Sequence, residues 1–283
     1  MMRSKLFVPA DRPELFEKAL RSGADAVCFD LEDAVLADRK VEARENLRLF
    51  FHKHAANESP FLLVRTNPVG TPHFQWDIEC ALWPSLYAIA LPKVEQLEDI
   101  STAVCEMDRV ESLRNLLPPV RILPTIESPR GLRIAAEISM SSPRVVGLQM
   151  GFADLMEPLG IAPENTLARN QVRLMLRLAA AEGGLNCYDS AFPDFRDPVG
   201  YVSSLQSART LGFAGASCIH PSQIAAANLA FSPTEKELLC AQRVVDAARL
   251  AAESGNAVTT VDGKMIDEPF IQRARALLKS VGR

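Results

Sequence analysis

Short apolar runs recur along the chain, each stopping at a polar or charged residue and most followed by a stretch of helical periodicity. The first four are Leu6-Phe7-Val8, Ala26-Val27-Cys28-Phe29, Phe61-Leu62-Leu63-Val64 and Tyr87-Ala88-Ile89-Ala90-Leu91. Four more fall at residues 120–126, 145–150, 185–188 and 216–219. Runs this short and this continuously apolar are what strands buried on both faces of a parallel sheet require. Between them the pattern predicts a helix opening near Arg12-Pro13 with Asp11 as its cap, a polar-faced helix over about 38–55, and another over 131–140. Eight strands alternating with helices predict an α/β fold of the (β/α)8 TIM-barrel type, with a doubly wound open sheet as the runner-up.

The chain continues beyond the eighth run. A helix over 233–254, the turn-like Val261-Asp262-Gly263-Lys264 and a helix over 267–280 exceed the barrel count. The expected division is a barrel catalytic domain over 1–255 and a C-terminal lid or oligomerisation segment over 256–283, lying over the barrel or reaching a neighbouring subunit.

In such barrels the carboxyl ends of the strands build the active site. That edge offers Glu32 and Asp33, Arg65, Lys93, Glu127, Asp154, Asp189 and His220. Glu127 and Asp154 end two successive runs with one helix between them, so both carboxylates reach the same sheet edge. Two carboxylates with room for water and substrate suit Mg²⁺, a hard cation that rarely receives a full protein cage. An acidic set with one arginine and one lysine suits a small oxo acid bound to that metal. Each residue also has a plainer reading. Glu127 precedes Ser128-Pro129 and complements a helix N-terminus; Asp154 caps the turn that follows it. Arg65 pairs with Glu32 to hold two loops, His220 satisfies a backbone group, Lys93 is structural, and Asp267 caps the last helix. The pattern alone leaves both readings open.

Composition narrows the classes. The 48% hydrophobic content is ample for a large core, and a net charge of −4 without a basic block argues against a nucleic-acid surface. Six cysteines without a CxxC pair read as reduced thiols of a cytoplasmic protein. The N-terminal residues lack the apolar core of a signal peptide, and no segment reaches the ~20 apolar residues of a membrane span. There is no phosphate-binding glycine loop and no nucleophile elbow. Four histidines without H-x-x-x-H spacing argue against a zinc hydrolase.

Seven strings, in order, carry a family resemblance. They are Arg3-Ser4-Lys5-Leu6-Phe7-Val8-Pro9, Phe29-Asp30-Leu31-Glu32-Asp33-Ala34-Val35, Val64-Arg65-Thr66-Asn67 and Leu91-Pro92-Lys93-Val94-Glu95. Then come Ile126-Glu127-Ser128, Gly151-Phe152-Ala153-Asp154-Leu155 and Ile219-His220-Pro221-Ser222-Gln223. Together they resemble the citrate lyase β-subunit-like family, with its malyl-CoA and citramalyl-CoA lyase relatives, over nearly the whole chain. Ala10 and Ala153 depart from it, at positions where the family often has glycine and an acidic residue or glycine.

The resemblance implies a Mg²⁺-dependent lyase that cleaves a 3-hydroxy-acyl-CoA to acetyl-CoA and a 2-oxo acid by a retro-Claisen step. Glu127 and Asp154 would hold the metal and Arg65 would polarise the carbonyl or enolate oxygen. Glu32 and Asp33 would orient Arg65 and metal-bound water. Phe7, Arg65, Glu127, Ile219 and His220 would face the substrate. Asp267 would act as the acid/base delivered by an adjacent subunit, within a homotrimer or hexamer. The alternatives are a citrate lyase β subunit acting on an acyl-carrier thioester, a class II aldolase on free oxo acids, and a non-catalytic assembly subunit.

Overall fold

The computed structural model describes residues 2–54 and 60–282. The expected helix end at Ala55 and the outer ends of the two expected domains, Met1 and Arg283, lie outside the described residues. Eight parallel strands close into a barrel in sequence order. They are β1 (Ser4–Pro9), β2 (Ala26–Asp30), β3 (Phe61–Arg65), β4 (Leu86–Leu91), β5 (Arg121–Ile126), β6 (Gly147–Met150), β7 (Asn186–Asp189) and β8 (Gly215–Cys218). β1 pairs with both β2 and β8, which closes the ring. The eight expected runs are these strands, displaced by a residue or two at their ends. Val145 makes only an isolated bridge to Ile122 ahead of β6, and Ile219 falls just past β8.

The barrel interior is filled by small or flat side chains, Ala26, Cys28, Ala88 and Ala90 with Leu63, Leu123 and Tyr188, while a larger apolar layer packs between strands and helices. A closed, plugged floor leaves the carboxyl-end mouth as the place for chemistry. Two helices differ from expectation. The one expected at Arg12-Pro13 opens as a 3-10 turn, Pro13–Leu15, before α1 (Phe16–Leu20), and Asp11 does not cap it. Asp11 instead pairs with Arg39 at 2.7 Å. The helix expected over 131–140 is two short ones, α2 (Pro129–Arg133) and α3 (Ala135–Met140), because Ile134 leaves helical geometry at φ −110°, ψ 18°. Among the described residues no helix is long and apolar enough to cross a membrane.

The chain divides into two compact units, Met1–Phe231 and Ser232–Arg283. The second begins earlier than the boundary expected at 255/256. Its long helix Glu235–Glu253 belongs with the last helix, Glu268–Lys279, around a core of Ala241, Val244, Ile266, Ile271, Ala274 and Leu278. A hairpin joins them, Thr259–Val261 paired to Lys264–Ile266. Its two-residue loop, Asp262-Gly263, takes φ 51° and 74°, the left-handed pair that a type I′ turn demands.

Candidate active site

The β2–β3 register sets Asp30 beside Arg65. That alignment creates the firmest contact in the barrel mouth. Arg65 donates from Nε and one terminal nitrogen to the two oxygens of Asp30 at 2.7 and 2.5 Å, and its other terminal nitrogen pairs with Glu32 at 3.0 Å. The guanidinium lies 5.0 Å over the Phe7 ring. Burial opposes the Arg65 charge, yet the Asp30 hydrogen bonds and the charges of Asp30 and Glu32 hold its pKa above the ordinary value. Asp30 also accepts the backbone N–H of Glu32 at 2.9 Å, and Lys40 Nζ donates to the carbonyls of Leu31 and Glu32 at 2.8 and 2.9 Å. The turn carrying Glu32 is therefore fixed from both sides.

Lys93 ties two loops together. Its backbone sits at φ 52°, a left-handed conformation that costs a non-glycine residue roughly 1 kcal/mol or more and persists only where the surroundings enforce it. The enforcing contacts are a backbone N–H donated to Glu127 Oε1 at 2.6 Å and an ammonium 2.8 Å from Glu32 Oε1. Burial opposes the Lys93 charge, but Glu32 and Asp33 raise its pKa. Glu32 thus lies between two cations, and burial still holds its own pKa above the usual carboxylate range.

Glu127 is different. It is 5% exposed, at the end of β5, and no cation pairs with it among the described residues. Burial first, then the charges of Glu32 and Asp154, push its carboxyl up to about 8. Asp154 is exposed in the first turn of α4 (Phe152–Met156). Gly151, immediately before that helix, lets the two approach: a Cβ there would lie 2.4 Å from Glu127 Oε2 and 2.5 Å from its Cβ. Gly151→Ala should therefore force Glu127 from its place at a cost of about 1–3 kcal/mol. Thermal unfolding reads this, and an unchanged midpoint would show that the loop after β6 yields instead.

A cavity of about 330 Å³ opens over these groups, with Phe7, Arg65, Glu127, Gly151, Asp154 and Ile219 in its wall. Glu32 stands behind Arg65 and Lys93, outside that wall, and Asp33 is an exposed rim residue 3.6 Å from Lys93. His220, expected toward substrate, does not line the cavity. Its Nδ1 accepts the Ser222 N–H and its ring stacks on Phe195 at 4.8 Å, so it caps the 3-10 turn Pro221–Gln223. Asp189 faces the helix layer, where Arg173 grips it at 3.1 and 2.6 Å. Asp267 lies in the second unit and makes no side-chain cap bond; its Oδ1 is buried without a hydrogen-bond partner among the described residues.

Sequence reasoning passed over Asp30 and left Lys93 open between a site residue and a structural one. For Asp30 the signal was present: alternation along β2 turns Ala26, Cys28 and Asp30 inward together. Glu127 and Asp154 give the mouth two hard oxygen donors, one of them buried without a paired cation among the described residues, which fits a hard divalent cation completed by water and substrate oxygens. Among the described residues no group of three or more histidine, cysteine or acidic side chains is arranged to enclose a metal.

Known proteins resemble this chain in sequence and fold. The family model described as HpcH/HpaI aldolase/citrate lyase matches residues 3–221. The (3S)-malyl-CoA thioesterase of Cereibacter sphaeroides is 34% identical over 98% of this chain and 93% of its own length. The citrate lyase subunit beta of Escherichia coli is 33% identical over 98% and 92%. Among solved structures, Mycobacterium tuberculosis CitE in complex with magnesium, acetoacetate and coenzyme A superposes with a TM-score of 0.76 at 31% identity, covering 99% of this chain and 98% of that one. The citrate lyase beta subunit of M. tuberculosis with oxaloacetate and magnesium gives 0.67 at 31%, over 82% and 97%. The chain belongs to the HpcH/HpaI aldolase/citrate lyase family.

Proposed function

We propose that the protein is a Mg²⁺-dependent carbon–carbon lyase that cleaves a 3-hydroxy-acyl-CoA, of the class of citramalyl-CoA and malyl-CoA, to acetyl-CoA and a 2-oxo acid by a retro-Claisen step. The observation that carries this reading is Glu127, a buried carboxylate with no cation paired to it among the described residues, set beside Asp154 in the wall of a cavity that also presents Arg65. The relatives bound to magnesium, oxo acids and coenzyme A support it.

Glu127 and Asp154 would hold the metal, which supplies Lewis-acid polarisation of the substrate's hydroxyl and carboxylate oxygens. Arg65, fixed by Asp30 on one edge and Glu32 on another, keeps N–H groups for the thioester oxygen as enolate charge develops there. Because Arg65 is already oriented, little reorganisation is needed at the moment of reaction. Lys93 balances the acidic cluster, and Phe7 and Ile219 shield the reacting bond from water. The substrate hydroxyl must lose a proton and the new acetyl carbon must take one, and we assign both transfers to Asp267, which receives the first and returns it in the second. Its side chain does not cap its helix, and its Oδ1 is buried without a hydrogen-bond partner among the described residues. In this reading Asp267 serves the cavity of an adjacent subunit in a homotrimer or hexamer. Six free thiols support a cytoplasmic enzyme.

The test is a panel of 3-hydroxy-acyl-CoAs assayed with Mg²⁺ for oxo acid and acetyl-CoA. Release of both, abolished by a chelator, supports the reading. Free CoA with an intact hydroxy acid would instead indicate thioester hydrolysis, and cleavage only of an acyl-carrier thioester would indicate a citrate lyase β subunit. Turnover of free oxo acids alone would indicate an aldolase, and no turnover of any kind an assembly subunit.

Asp267→Asn should fold, assemble and bind Mg²⁺ and oxo acid, yet fail to exchange protons at the acetyl-CoA methyl group. Mixing it with inactive Asp154→Ala after subunit exchange should recover part of the activity, since some mixed sites then hold both groups. No recovery despite demonstrated exchange would sink the shared site.

A further inference from the structure

Helix α5 (Thr166–Glu182) carries Arg169 and Arg173 one turn apart. Both guanidiniums lie over the same ring, that of Phe152, at 4.7 and 5.2 Å. Arg173 is committed elsewhere as well: it grips both oxygens of Asp189 and reaches Ser204 Oγ at 2.8 Å. Arg169 is half-buried, and among the described residues no carboxylate pairs with it. Its terminal nitrogens make two long bonds there, both at 3.4 Å, to the Pro163 carbonyl and the Ser204 hydroxyl. Its Nε is buried with no hydrogen-bond partner among the described residues. Burial, then the charge of Arg173, holds its pKa below the ordinary arginine value. A charge compensated this poorly weakens a fold, and an apolar side chain of similar length would sit there at less cost. The one contact Arg169 makes well is with Phe152.

Phe152 opens α4, the short helix whose third residue is Asp154. Phe152, Leu155 and Met156 form its buried face, while Ala153 and Asp154 are exposed and line the cavity. A helix of five residues has little rigidity of its own and depends on what packs against it. No side chain caps this one; the Phe152 N–H donates to Ser190 Oγ at 3.1 Å. The direction in which Asp154 projects is therefore set by how its buried face is gripped, and the grip nearest its start is the pair of guanidiniums on Phe152. An apolar neighbour would only fill space beside that ring. A guanidinium is drawn to the ring's face, the more strongly where water is excluded.

We infer that Arg169 is a positioning residue for the metal: by holding the Phe152 ring it fixes the turn that presents Asp154 to the cation. The inference rests on the lyase reading, which places Mg²⁺ at Glu127 and Asp154. It explains why a poorly compensated charge is kept where methionine would pack: the contact serves the orientation of a metal ligand at the expense of the fold. Arg169 touches neither metal nor substrate in this role and acts through Phe152 alone.

Calorimetric titration with Mg²⁺ and thermal unfolding of the metal-free protein together separate this role from a structural one. Arg169→Met should weaken Mg²⁺ binding roughly tenfold, as losing a contact that orients a metal ligand does. Its unfolding midpoint should stay the same or rise, because a poorly compensated charge is gone. The sign is informative, since by charge alone removing a nearby cation would tighten Mg²⁺ binding. Phe152→Leu should weaken Mg²⁺ to a similar extent. The double variant should lose no more than either single one, as expected of two residues that act as a unit. Unchanged or tighter Mg²⁺ binding by Arg169→Met, a lowered midpoint or a failure to fold, or losses that add in the double variant would each overturn the inference and leave the lyase reading standing. A wild-type protein that binds no Mg²⁺ would overturn the metal assignment, and this inference with it.

Discussion

Glu127→Gln and Asp154→Asn should each fold normally and lose Mg²⁺-dependent turnover by about 10³-fold or more, the several kcal/mol that a Lewis acid contributes to the barrier. The two variants remove charge and little volume, so a loss of activity with unchanged unfolding isolates the metal. Glu127 adds a signature in pH. Its carboxyl in the metal-free protein is pushed up to about 8, above an unfolded value near ~4.3. The sign follows from linkage. The folded state holds the proton more tightly, so Glu127 contributes stability that is complete below about 4.3 and is lost as pH rises through about 8. Mg²⁺ must displace that proton. Its affinity should therefore climb ~tenfold per unit across that window and level off above it. Titrations in buffers of different ionisation enthalpy should show close to one proton released per ion near neutrality. Glu127→Gln should be flat in pH. A wild-type affinity that does not change between weakly acidic and weakly basic solution would remove Glu127 from the metal site.

Arg65→Lys should keep a positive charge and still lose about 10²–10³ in rate, the usual consequence of removing one donor to a developing oxyanion. The geometry explains why the charge is not enough. Arg65 grips both oxygens of Asp30 and reaches Glu32 as well, and the remaining N–H groups point where that fork directs them. An ammonium cannot reproduce a planar fork. It can satisfy Asp30 or Glu32 but not both, and Asp30 is 1% exposed, so some loss of stability accompanies the loss of rate. Steady-state kinetics separates the roles. A preserved kcat with a lowered unfolding midpoint would make Arg65 a purely structural clasp.

The barrel was legible in the sequence because strands covered on both faces leave continuous apolar runs, and eight such runs admit few topologies. The placement of Glu127, Asp154 and Arg65 at the barrel mouth was legible because each ends a run or lies just past one. What escaped is non-local. Alternation along β2 turns Asp30 inward, but its grip on Arg65 depends on the β2–β3 register, which no local pattern reveals. Lys93, after Pro92, was open to both a site and a structural reading, because its left-handed backbone and two carboxylate contacts depend on strands far away in sequence. His220 carries the same residues as a ligand-facing loop, yet Ser222 and Phe195 occupy its ring. The second compact unit begins before the expected division for a similar reason: the pattern of helix 235–253 shows that it has an apolar face but not what that face packs against.

Lys93 holds one carboxylate with its main chain and another with its side chain, and these two grips answer to different mutational pressures. Substitution can erase the ammonium without touching the backbone N–H, provided the new residue tolerates φ near 52°, as glycine or asparagine does. Such a change would leave Glu32 paired with Arg65 alone and keep Glu127 anchored. Drift at this position would then alter the charge balance around Arg65 while the proposed metal ligand stays in place, giving descendants a graded route to new substrates.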